Sequence, residues 1–224
     1  MDTAHPRVGE PRGSPNLQAT PIVFVVDDDI SVRESLEALI REAGWQAETF
    51  ASAHEFLARP RPSIPSCLVL DVTLPDLNGL DLQKRIGADR ADMPIIFVTG
   101  YGDVPMSVQA MKAGALEFLT KPFGEDKLLG AIRNALERSQ LELKQMAEMR
   151  SLLGCYDSLS RREREVMHLV VSGLLNKQVG AELNISEITV KAHRGKVMQK
   201  MRAGSLAELV NMEARLRTVL SRRN

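Results

Sequence analysis

The sequence predicts an α/β domain on a doubly wound, five-stranded parallel sheet, then a long connecting helix and an all-α, four-helix domain with a helix-turn-helix. Three observations support this architecture. From Pro21 to about Leu136, short β-rich runs alternate with helical patterns, as in doubly wound domains. No Pro or Gly interrupts the apolar stripe between Ala131 and Leu153, which indicates one long helix to about Arg150. A connector with a dimer contact is expected here, with a rigid connector alone, a coiled-coil seam or a partly flexible linker as alternatives. Beyond it, capping residues divide the chain into short helices.

The predicted strands of the first domain lack polar alternation, as expected when helices cover both faces of a parallel sheet. The strands are Ile22–Val26, Gln46–Phe50 and residues 67–70, 95–98 and 118–120. Helical periodicity predicts helices at residues 31–43, 52–58, 80–86 and 104–113 and from Glu125 onward. In the first of these helices, Leu36 and Ile40 share a face, and Gly44 is a stop signal.

Length and composition limit the number of domains and the class of protein. With 224 residues and 44% apolar side chains, the chain can form two packed cores, and no apolar run reaches the roughly 20 residues of a membrane span. Residues 1–20 are rich in Pro and Gly and predict a disordered tail. The domains are expected at residues 21–136 and 158–224, with 137–157 as a helical linker. Two cysteines do not suggest a disulfide framework, so a cytoplasmic location is expected.

The formal net charge of zero conceals an asymmetry along the chain. Residues 1–150 contain 16 basic and 22 acidic side chains, a net charge of −6, whereas residues 151–224 contain 13 and 7, a net charge of +6. These charges suggest a cation or metal as partner of the first part and nucleic acid as partner of the second. Two ordinary solvated surfaces are the alternative, and charge alone does not decide between them.

Polar side chains end four of the five predicted strands, and the carboxyl ends of parallel strands meet at one edge of a sheet. They are Asp27, Asp28, Asp29, Asp71, Thr99 and Lys121. Carboxylates suit Mg²⁺, which would screen the repulsion between Asp71 and a phosphate dianion. Asp71 is then the candidate nucleophile of an aspartyl phosphate, with Lys121 and Thr99 as contacts of phosphoryl oxygens. Each residue alone is explained as a helix cap, a strand end or a solvated charge. Their common position directly after apolar runs is what indicates a site.

Capping signals predict the four helices of the second domain. Three helices follow caps expected at Ser160, Asn176 and Ser186, and the last spans residues 205–220. Glu163 completes a capping box with Ser160. Two short helices joined by a tight turn, the second of them basic, predict a helix-turn-helix.

The helix after Ser186 is the candidate recognition helix, whose N-terminal part enters the major groove of DNA. Four of its side chains are expected in the core: Ile188, Val197, Met198 and Met201. The candidate DNA contacts are Thr189, Lys191, Ala192, Arg194, Gly195, Lys196 and Lys200, with Asn176, Lys177 and Ser186 as phosphate contacts at helix starts. For Lys200, a solvated position is equally expected.

One four-helix unit buries too little surface for sharp specificity, so a dimer on an inverted repeat is expected. Two surfaces are candidates for its interface. One is the face of the first domain that carries residues 104–113, Phe118 and the long helix. The other is the last helix, with Leu206, Leu209, Val210, Met212 and Leu216.

Residues 21–140 resemble the receiver domain of two-component response regulators. The matching motifs are Val26-Asp27-Asp28-Asp29, Leu70-Asp71-Val72-Thr73-Leu74-Pro75, Gly79, Val98-Thr99-Gly100 and Thr120-Lys121-Pro122-Phe123. The resemblance implies that Asp71 is the phosphoacceptor, Thr99 the switch hydroxyl and Lys121 the phosphate contact. It further implies that Mg²⁺ or Mn²⁺ is bound by Asp28, Asp71 and the backbone carbonyl of Thr73, with Asp27 assisting. It also implies a cis Lys121-Pro122 bond. Phe118 stands where the family has its rotating aromatic switch; without a hydroxyl, it can follow Thr99 only through packing.

Residues 158–220 resemble the LuxR-type helix-turn-helix of the NarL/FixJ-type response regulators. The matching residues include Glu163-Arg164-Glu165-Val166, Gly173-Leu174-Leu175-Asn176-Lys177, Ala181-Glu182-Leu183, Thr189-Val190-Lys191 and His193-Arg194. The two resemblances imply a transcriptional regulator that a sensor histidine kinase phosphorylates on Asp71. Such a protein is expected to dimerise when phosphorylated, bind promoter DNA with an inverted repeat and recruit RNA polymerase. No membrane partner is expected, and no enzymatic activity beyond its own phosphoryl transfer and slow dephosphorylation.

Three other functions remain alternatives. A metal-dependent phosphohydrolase is disfavoured, because Thr73 stands where enzymes of the haloacid dehalogenase type have an acid/base Asp. A ligand-sensing LuxR-type regulator would need an apolar pocket, and the acidic cluster and sparse aromatic residues argue against it. A phosphorylation-independent regulator that uses the receiver as a dimerisation module is the third alternative.

Overall fold

The structure, a computed structural model, describes residues 19–87, 90, 92–100 and 102–221. The chain divides into two compact units, Met1–Gln145 and Met146–Asn224. The tail predicted at residues 1–20 lies outside the described residues except for its last two positions. Within the described part of the chain, no helix combines the length and the apolar character that crossing a membrane requires.

The first unit alternates strands and helices along the chain. Its strands are β1 Ile22–Val26, β2 Gln46–Phe50, β3 Ser66–Asp71, β4 Ile95–Thr99 and β5 Glu117–Thr120. Its helices are α1 Ile30–Glu42, α2 Ala53–Ala58, α3 Gly79–Gly87, α4 Val104–Lys112 and the first part of α5 Glu125–Asp157. The strands form one parallel sheet in the order β2-β1-β3-β4-β5, which confirms the predicted doubly wound α/β fold.

Apolar side chains on the two faces of this sheet form two separate cores. All five residues of β1 are buried, and they alternate between the faces. Phe24 joins the core that contains Phe56. Its neighbour Val25 joins the opposite core, which contains Ile132 of α5. Because helices cover both faces, the central strands need no polar side, as their sequences predicted.

The strand register brings the carboxyl ends of four strands to one edge of the sheet. Leu70 pairs with Val26, and the next residue, Asp71, is the last of β3. Thr99 at the end of β4 pairs with Thr120 at the end of β5. The residues that follow these pairs therefore leave the sheet at the same edge, which is where the candidate site residues lie.

The long helix α5 extends further than the sequence predicted, ending at Asp157 rather than near Arg150. Its last turns carry Leu152, which is buried in the core of the second unit. A glycine within a helix costs about 1 kcal/mol relative to Ala. Burial of the flanking apolar side chains offsets that cost, so the helix continues through Gly154.

Residues 137–157, predicted as a helical linker, lie within α5, and the division between the two units falls inside this segment. Met149, Leu153 and Tyr156 pack against the core of the second unit. The C-terminal part of the segment thus contributes to a core as well as connecting the units. The predicted domain limits themselves remain predictions.

The second unit contains four helices after α5: α6 Arg161–Val171, α7 Asn176–Leu183, α8 Glu187–Met201 and α9 Leu206–Leu220. The predicted capping box of Ser160 and Glu163 is present, and Ser186 caps α8 as predicted. Buried residues of α6 and α8, among them Met167 and Val197, share one core. This arrangement confirms the predicted all-α domain.

The cap predicted for α7 was wrong by one residue. Asn176 is the first residue of the helix, and Leu175 occupies the cap position. The side chain of Gln178 accepts the backbone N–H of Leu175 at 2.8 Å. This bond satisfies the N–H of the cap residue from within the helix, while no side chain at the cap accepts an N–H group of the first turn.

The predicted core face of α8 was wrong at Ile188. This side chain is 83% exposed, whereas Val190, which was not among the expected core residues, is fully buried with Val197 and Met201. Side chains two positions apart on a helix point in directions about 200° apart. The helix can therefore bury residue 188 or residue 190 but not both. Val190 lies seven positions before Val197, which lies four before Met201, so these three residues share one face and Val190 is the one buried.

Candidate functional site

The carboxylates of Asp27, Asp28 and Asp71 form a cluster at the carboxyl edge of the sheet, and one oxygen of each lies within 4.8 Å of the others. Asp27 and Asp71 are buried, at 2% and 8% exposure, whereas Asp28 is exposed. Burial disfavours the charged form of a carboxylate, so such groups need a positive charge nearby. Three hard oxygen donors match the coordination preferences of Mg²⁺ and Mn²⁺.

Lys121 supplies positive charge to both buried carboxylates. Its Nζ donates to Asp27 Oδ2 at 2.7 Å and to Asp71 Oδ2 at 3.0 Å. The backbone N–H of Lys121 donates to the carbonyl of Thr99 at 2.8 Å, which fixes the residue at the end of β5. The following peptide bond, to Pro122, is cis, which confirms what the resemblance implied.

Burial and hydrogen bonding act in opposite directions on this ion pair. Burial raises the pKa of Asp27 above its usual value, against the lowering effect of the hydrogen bond from Lys121. Burial lowers the pKa of Lys121, but the hydrogen bonds to Asp27 and Asp71 outweigh it, so that pKa is raised overall. Lys121 is therefore charged at neutral pH.

The three consecutive acids after β1 have different structural roles. Asp29 caps α1, because its Oδ1 accepts the backbone N–H of Ser31 at 2.8 Å. Asp27 Oδ1 accepts the backbone N–H of Asp29 at 2.9 Å, which fixes the orientation of the Asp27 carboxylate. Among the described residues, the carboxylate of Asp28 has no hydrogen-bond partner. Asp28 is thus the member of the run whose oxygens remain available to a cation.

Arg33 was not predicted as part of the site, yet it fixes the same loop. Its Nη1 donates to the backbone carbonyls of Asp27 and Asp28, at 2.7 and 2.9 Å. The residue lies one turn into α1, on the side that faces back toward the loop. Only that helical position could have indicated its role in the sequence.

The loop after β3 folds closely around Asp71. The backbone N–H of Thr73 donates to Asp71 Oδ1 at 2.9 Å, and that of Gly79 donates to the carbonyl of Val72 at 2.9 Å. A Cβ at Gly79 would lie 2.4 Å from the backbone oxygen of Asp71, so a side chain there would force the backbone apart. The close turn places Thr73 beside the carboxylate.

Asp76 anchors the middle of this loop to the start of α2. Its carboxylate accepts the backbone N–H groups of Ala53 at 3.2 Å and His54 at 2.9 Å, and it lies 2.5 Å from His54 Nδ1. Burial raises the pKa of Asp76, but the hydrogen bonds from His54 and Ala53 outweigh it and bring that pKa to about 2. The anchor is therefore ionised at neutral pH.

Thr99 and Phe118 lie on the side of the site that leads to α4. Thr99 is buried at the end of β4, and the half-buried Phe118 packs on Phe97 with 6.1 Å between ring centroids. Gly102, which was not predicted as a site residue, comes close to both strands. A Cβ there would lie 3.0 Å from the Phe118 ring and 2.6 Å from the Thr120 side chain. The loop before α4 thus contacts the β5 side chains directly.

Most of the candidate DNA contacts lie exposed at the starts of α7 and α8 and along α8. The exposed ones are Lys177, Ser186, Lys191, Ala192, Gly195 and Lys196. Arg194, half-buried, donates from Nη1 to Asn176 Oδ1 at 3.2 Å, which joins α8 to the start of α7. The hydroxyl of Thr189 lies 2.8 Å from that of Ser186. Two helix starts therefore present basic and polar groups together.

Lys200, in contrast, bonds to its own unit. Its Nζ donates to Glu163 Oε2 at 2.6 Å and to the backbone carbonyl of Ser158 at 3.1 Å. The hydrogen bond from Lys200, with those from Ser160, lowers the pKa of the buried Glu163 to about 2. Its ammonium is therefore paired with the capping-box carboxylate, and a DNA contact of Lys200 stays a prediction.

A doubly wound sheet with this acidic cluster and lysine, followed by a helix-turn-helix unit, defines the class of DNA-binding response regulators. Residues 23–133 match the family described as "Response regulator receiver domain". Residues 157–213 match the family described as "Bacterial regulatory proteins, luxR family". The chain belongs to the two-component response regulators with a receiver domain and a LuxR-type helix-turn-helix.

Similar proteins extend over nearly the whole chain. Nodulation protein W of Bradyrhizobium diazoefficiens is 49% identical over 204 residues, 91% of this chain and 90% of that protein. Transcriptional regulatory protein FixJ of the same organism is 42% identical over 194 residues, 86% of this chain and 94% of that protein. The solved structure of response regulator StyR is 47% identical, covers 88% of this chain and 99% of that chain, and superposes with a TM-score of 0.81. The predicted family is therefore confirmed.

Proposed function

We propose that this chain is a transcriptional regulator activated by phosphorylation, which accepts a phosphoryl group on Asp71 from a sensor histidine kinase. The acidic cluster with Lys121 is the observation that carries the proposal. The Asp71 carboxylate lies 3.0 Å from Lys121 Nζ and within 4.8 Å of the carboxylates of Asp27 and Asp28. The nucleophile Asp71, the carboxylates that would bind a metal and the ammonium of Lys121, which would contact phosphoryl oxygens, thus lie close together.

The donor set fits Mg²⁺ or Mn²⁺ as cofactor. Asp28 and Asp71 would hold the ion, with Asp27 assisting and the backbone carbonyl of Thr73 as a further ligand. When bound, the ion supplies charge that reduces the repulsion between the Asp71 carboxylate and the phosphoryl group.

In the transfer, a carboxylate oxygen of Asp71 attacks the phosphorus of the kinase phosphohistidine. A P–O bond forms, the P–N bond breaks, and the imidazole, protonated on its other ring nitrogen, leaves as a neutral base. Lys121 exchanges its contact with Asp71 for a phosphoryl oxygen and can keep its bond to Asp27. The Thr99 hydroxyl donates to another phosphoryl oxygen. A phosphohydrolase is disfavoured, because Thr73, whose backbone N–H donates to Asp71, stands where such an enzyme would need an acid/base Asp.

The signal then leads from Thr99 to α4. Movement of Thr99 toward the phosphoryl group changes the packing of Phe118, which the loop at Gly102 contacts. The next helix, α4, exposes three apolar side chains on one face, Val104 at 75%, Val108 at 45% and Met111 at 46%. We infer that this face forms the dimer interface of the phosphorylated protein.

The second candidate interface, α9, offers less apolar surface. Leu209 and Leu216 are buried in the core of their own unit. Leu206 and Val210 are each 39% exposed. These values favour the α4 face for the dimer.

In this proposal, the dimer binds promoter DNA with an inverted repeat through the helix-turn-helix. The contacts are the exposed residues Lys177, Ser186, Lys191, Ala192, Gly195 and Lys196, with Asn176, Thr189 and Arg194 beside them. Lys and Arg side chains and helix starts suit phosphates, which position the protein on the duplex. A cytoplasmic location and recruitment of RNA polymerase by the bound dimer belong to the same proposal.

The test compares Asp71→Asn with Asp29→Asn in the full chain. Asn at position 29 keeps a capping oxygen for α1, so this control removes a neighbouring acid and leaves the nucleophile. With acetyl phosphate and Mg²⁺, wild type and control should form the phosphoprotein and bind DNA selected from a random-sequence library more tightly. Asp71→Asn should do neither. A phosphodonor-dependent gain of wild-type size in Asp71→Asn would overturn the phosphorylation step.

A further inference from the structure

Ile188 is the most exposed large apolar side chain in the part of the chain that the structure describes, at 83%. It lies in the first turn of α8, two residues after the cap Ser186. The core of the unit does not use it, because the buried face of α8 consists of Val190, Val197 and Met201. An aliphatic side chain this exposed buries little apolar surface and so adds little to the stability of its own unit.

The residues that share a face with Ile188 leave space in front of it. Three, four and seven positions further along the helix are Lys191, Ala192 and Gly195, which lie on the same side. All three are exposed. A Cβ at Gly195 would meet nothing within 4 Å, so the protein's own packing does not require the glycine. Ile188, Ala192 and Gly195 thus form a strip on α8 with little side-chain bulk beyond Ile188. Lys191 and Lys196 lie at the two edges of this strip.

The chemistry of this surface selects its partner. Lysines at both edges suit the phosphates of a duplex, and small side chains between them allow close approach of the helix backbone to base edges. In the major groove, the C5-methyl group of thymine is the apolar group that base edges present. A β-branched aliphatic side chain at the N-terminal end of a recognition helix is complementary to that methyl group.

We propose that Ile188 is a specificity-determining residue, which contacts the methyl group of a thymine in each half-site of the DNA. The inference rests on the proposed DNA-binding function and adds to it the identity of a base that the chain selects. Ile188 then discriminates thymine from cytosine and from uracil at that position, while the lysines hold the duplex without regard to sequence.

The experiment replaces thymine by deoxyuridine, which removes the methyl group and leaves the hydrogen-bonding edge unchanged. The full chain, treated with acetyl phosphate and Mg²⁺, first selects its sites from a random-sequence duplex library, and each thymine of a selected site is then replaced in turn. Wild type should lose affinity roughly fourfold at one position of each half-site, the effect of removing one buried methyl group. Ile188→Ala should bind the thymine and deoxyuridine duplexes equally at that position.

Two variants make the comparison specific. Ile188→Val keeps a branched apolar side chain and should retain discrimination. Leu175→Ala truncates another exposed apolar side chain of the same unit, 71% exposed, and should keep the deoxyuridine profile of wild type. Because Ile188 is exposed, its substitution should leave the thermal unfolding temperature unchanged.

The outcomes separate this inference from the function on which it rests. Selected sites that are indifferent to deoxyuridine at every position, or an Ile188→Ala protein with the wild-type profile, would contradict the thymine contact alone. If the chain selects no DNA sequence at all, both the proposed function and the thymine contact are wrong.

Discussion

At the scale of single residues, the ammonium of Lys121 determines the electrostatics of the candidate phosphoacceptor site. It lies within hydrogen-bonding distance of two carboxylates that are almost fully buried, and its own side chain is a quarter exposed. A charge in this position offsets the repulsion between Asp27 and Asp71, which burial would otherwise strengthen. The folded site and the proposed phosphoryl transfer therefore depend on the same group.

Replacing Lys121 by Ala should destabilise the first unit, because it leaves two buried carboxylates without their cation. The loss should be smaller than the about 3–5 kcal/mol typical of fully buried pairs, since Lys121 is partly exposed. Millimolar Mg²⁺ should restore more stability to this variant than to wild type. Thermal unfolding with Mg²⁺ or with EDTA measures both effects, and Lys127→Ala, an exposed lysine of α5, is the control. An Mg²⁺ effect of equal size in all three proteins would contradict this account.

The residues of the acidic site could be predicted because each ends an apolar run, and strand ends meet at one edge of a parallel sheet. The partner of Lys200 could not be predicted in this way. Glu163 lies 37 positions away in the chain, and the contact exists only after α6 and α8 have packed. Sequence periodicity reports which face of a helix is polar, not which opposite charge that face meets.

At the scale of helices, the contact between Lys200 and Glu163 joins the end of α8 to the start of α6. The carboxylate also accepts the backbone N–H of Ser160 at 2.8 Å, so the capping box and the helix–helix contact use one group. Its pKa is about 2 in the folded protein against an ordinary value of 4.5. A depressed pKa means that this group stabilises the folded state above about pH 4.5 and loses the effect as the pH falls toward 2.

The variant Glu163→Gln should therefore be less stable than wild type at neutral pH, and the difference should shrink between about pH 4.5 and 2. Gln keeps an oxygen for the N–H of Ser160 but leaves Lys200 without its counter-charge. Urea unfolding followed across this pH range measures the difference. Glu182→Gln, an exposed acid of α7, should show no such trend. A difference between wild type and Glu163→Gln that is constant with pH would show that the charge of Glu163 does not stabilise the unit.

The errors at Ile188, Asn176 and the end of α5 share a physical cause. Each concerns the phase or the limit of a helix whose type was predicted correctly. A helix boundary depends on small free-energy differences at a few residues. Burial of apolar side chains in the last turn can outweigh the cost of a glycine or of an unfavourable cap. The type of an element depends on many apolar positions together, which is why all five strands and the main helices were predictable.

At the scale of the whole molecule, the acidic and basic parts of the chain correspond to the two compact units. The first unit carries the carboxylate cluster, and the second carries the lysines of the helix-turn-helix. In the proposed function, a charge added at Asp71 would affect DNA binding by changing the oligomeric state, because two linked half-sites bind far more tightly than one. The dimer is therefore the step on which the proposed regulation depends.

A charge on the exposed face of α4 should prevent that dimer. Val108→Asp should remain monomeric with acetyl phosphate and Mg²⁺, with an association constant lower by roughly tenfold or more, because each interface would bury an unpaired carboxylate. Sedimentation velocity measures the change. Leu206→Asp introduces the same charge on α9 and should dimerise as wild type does. The reverse pattern would place the interface on α9.

Side-chain hydrogen bonds hold the loops on one side of the candidate site, whereas the loop on the other side is closely packed on β5. Asp76 holds the loop after Asp71 against the start of α2, and Arg33 holds the loop after β1. On the opposite side, the loop before α4 approaches β5 through a glycine, Gly102. If Asp71 is phosphorylated as proposed, the side of the site held by Asp76 and Arg33 should stay in place. The rearrangement should then occur on the side of Gly102, next to α4.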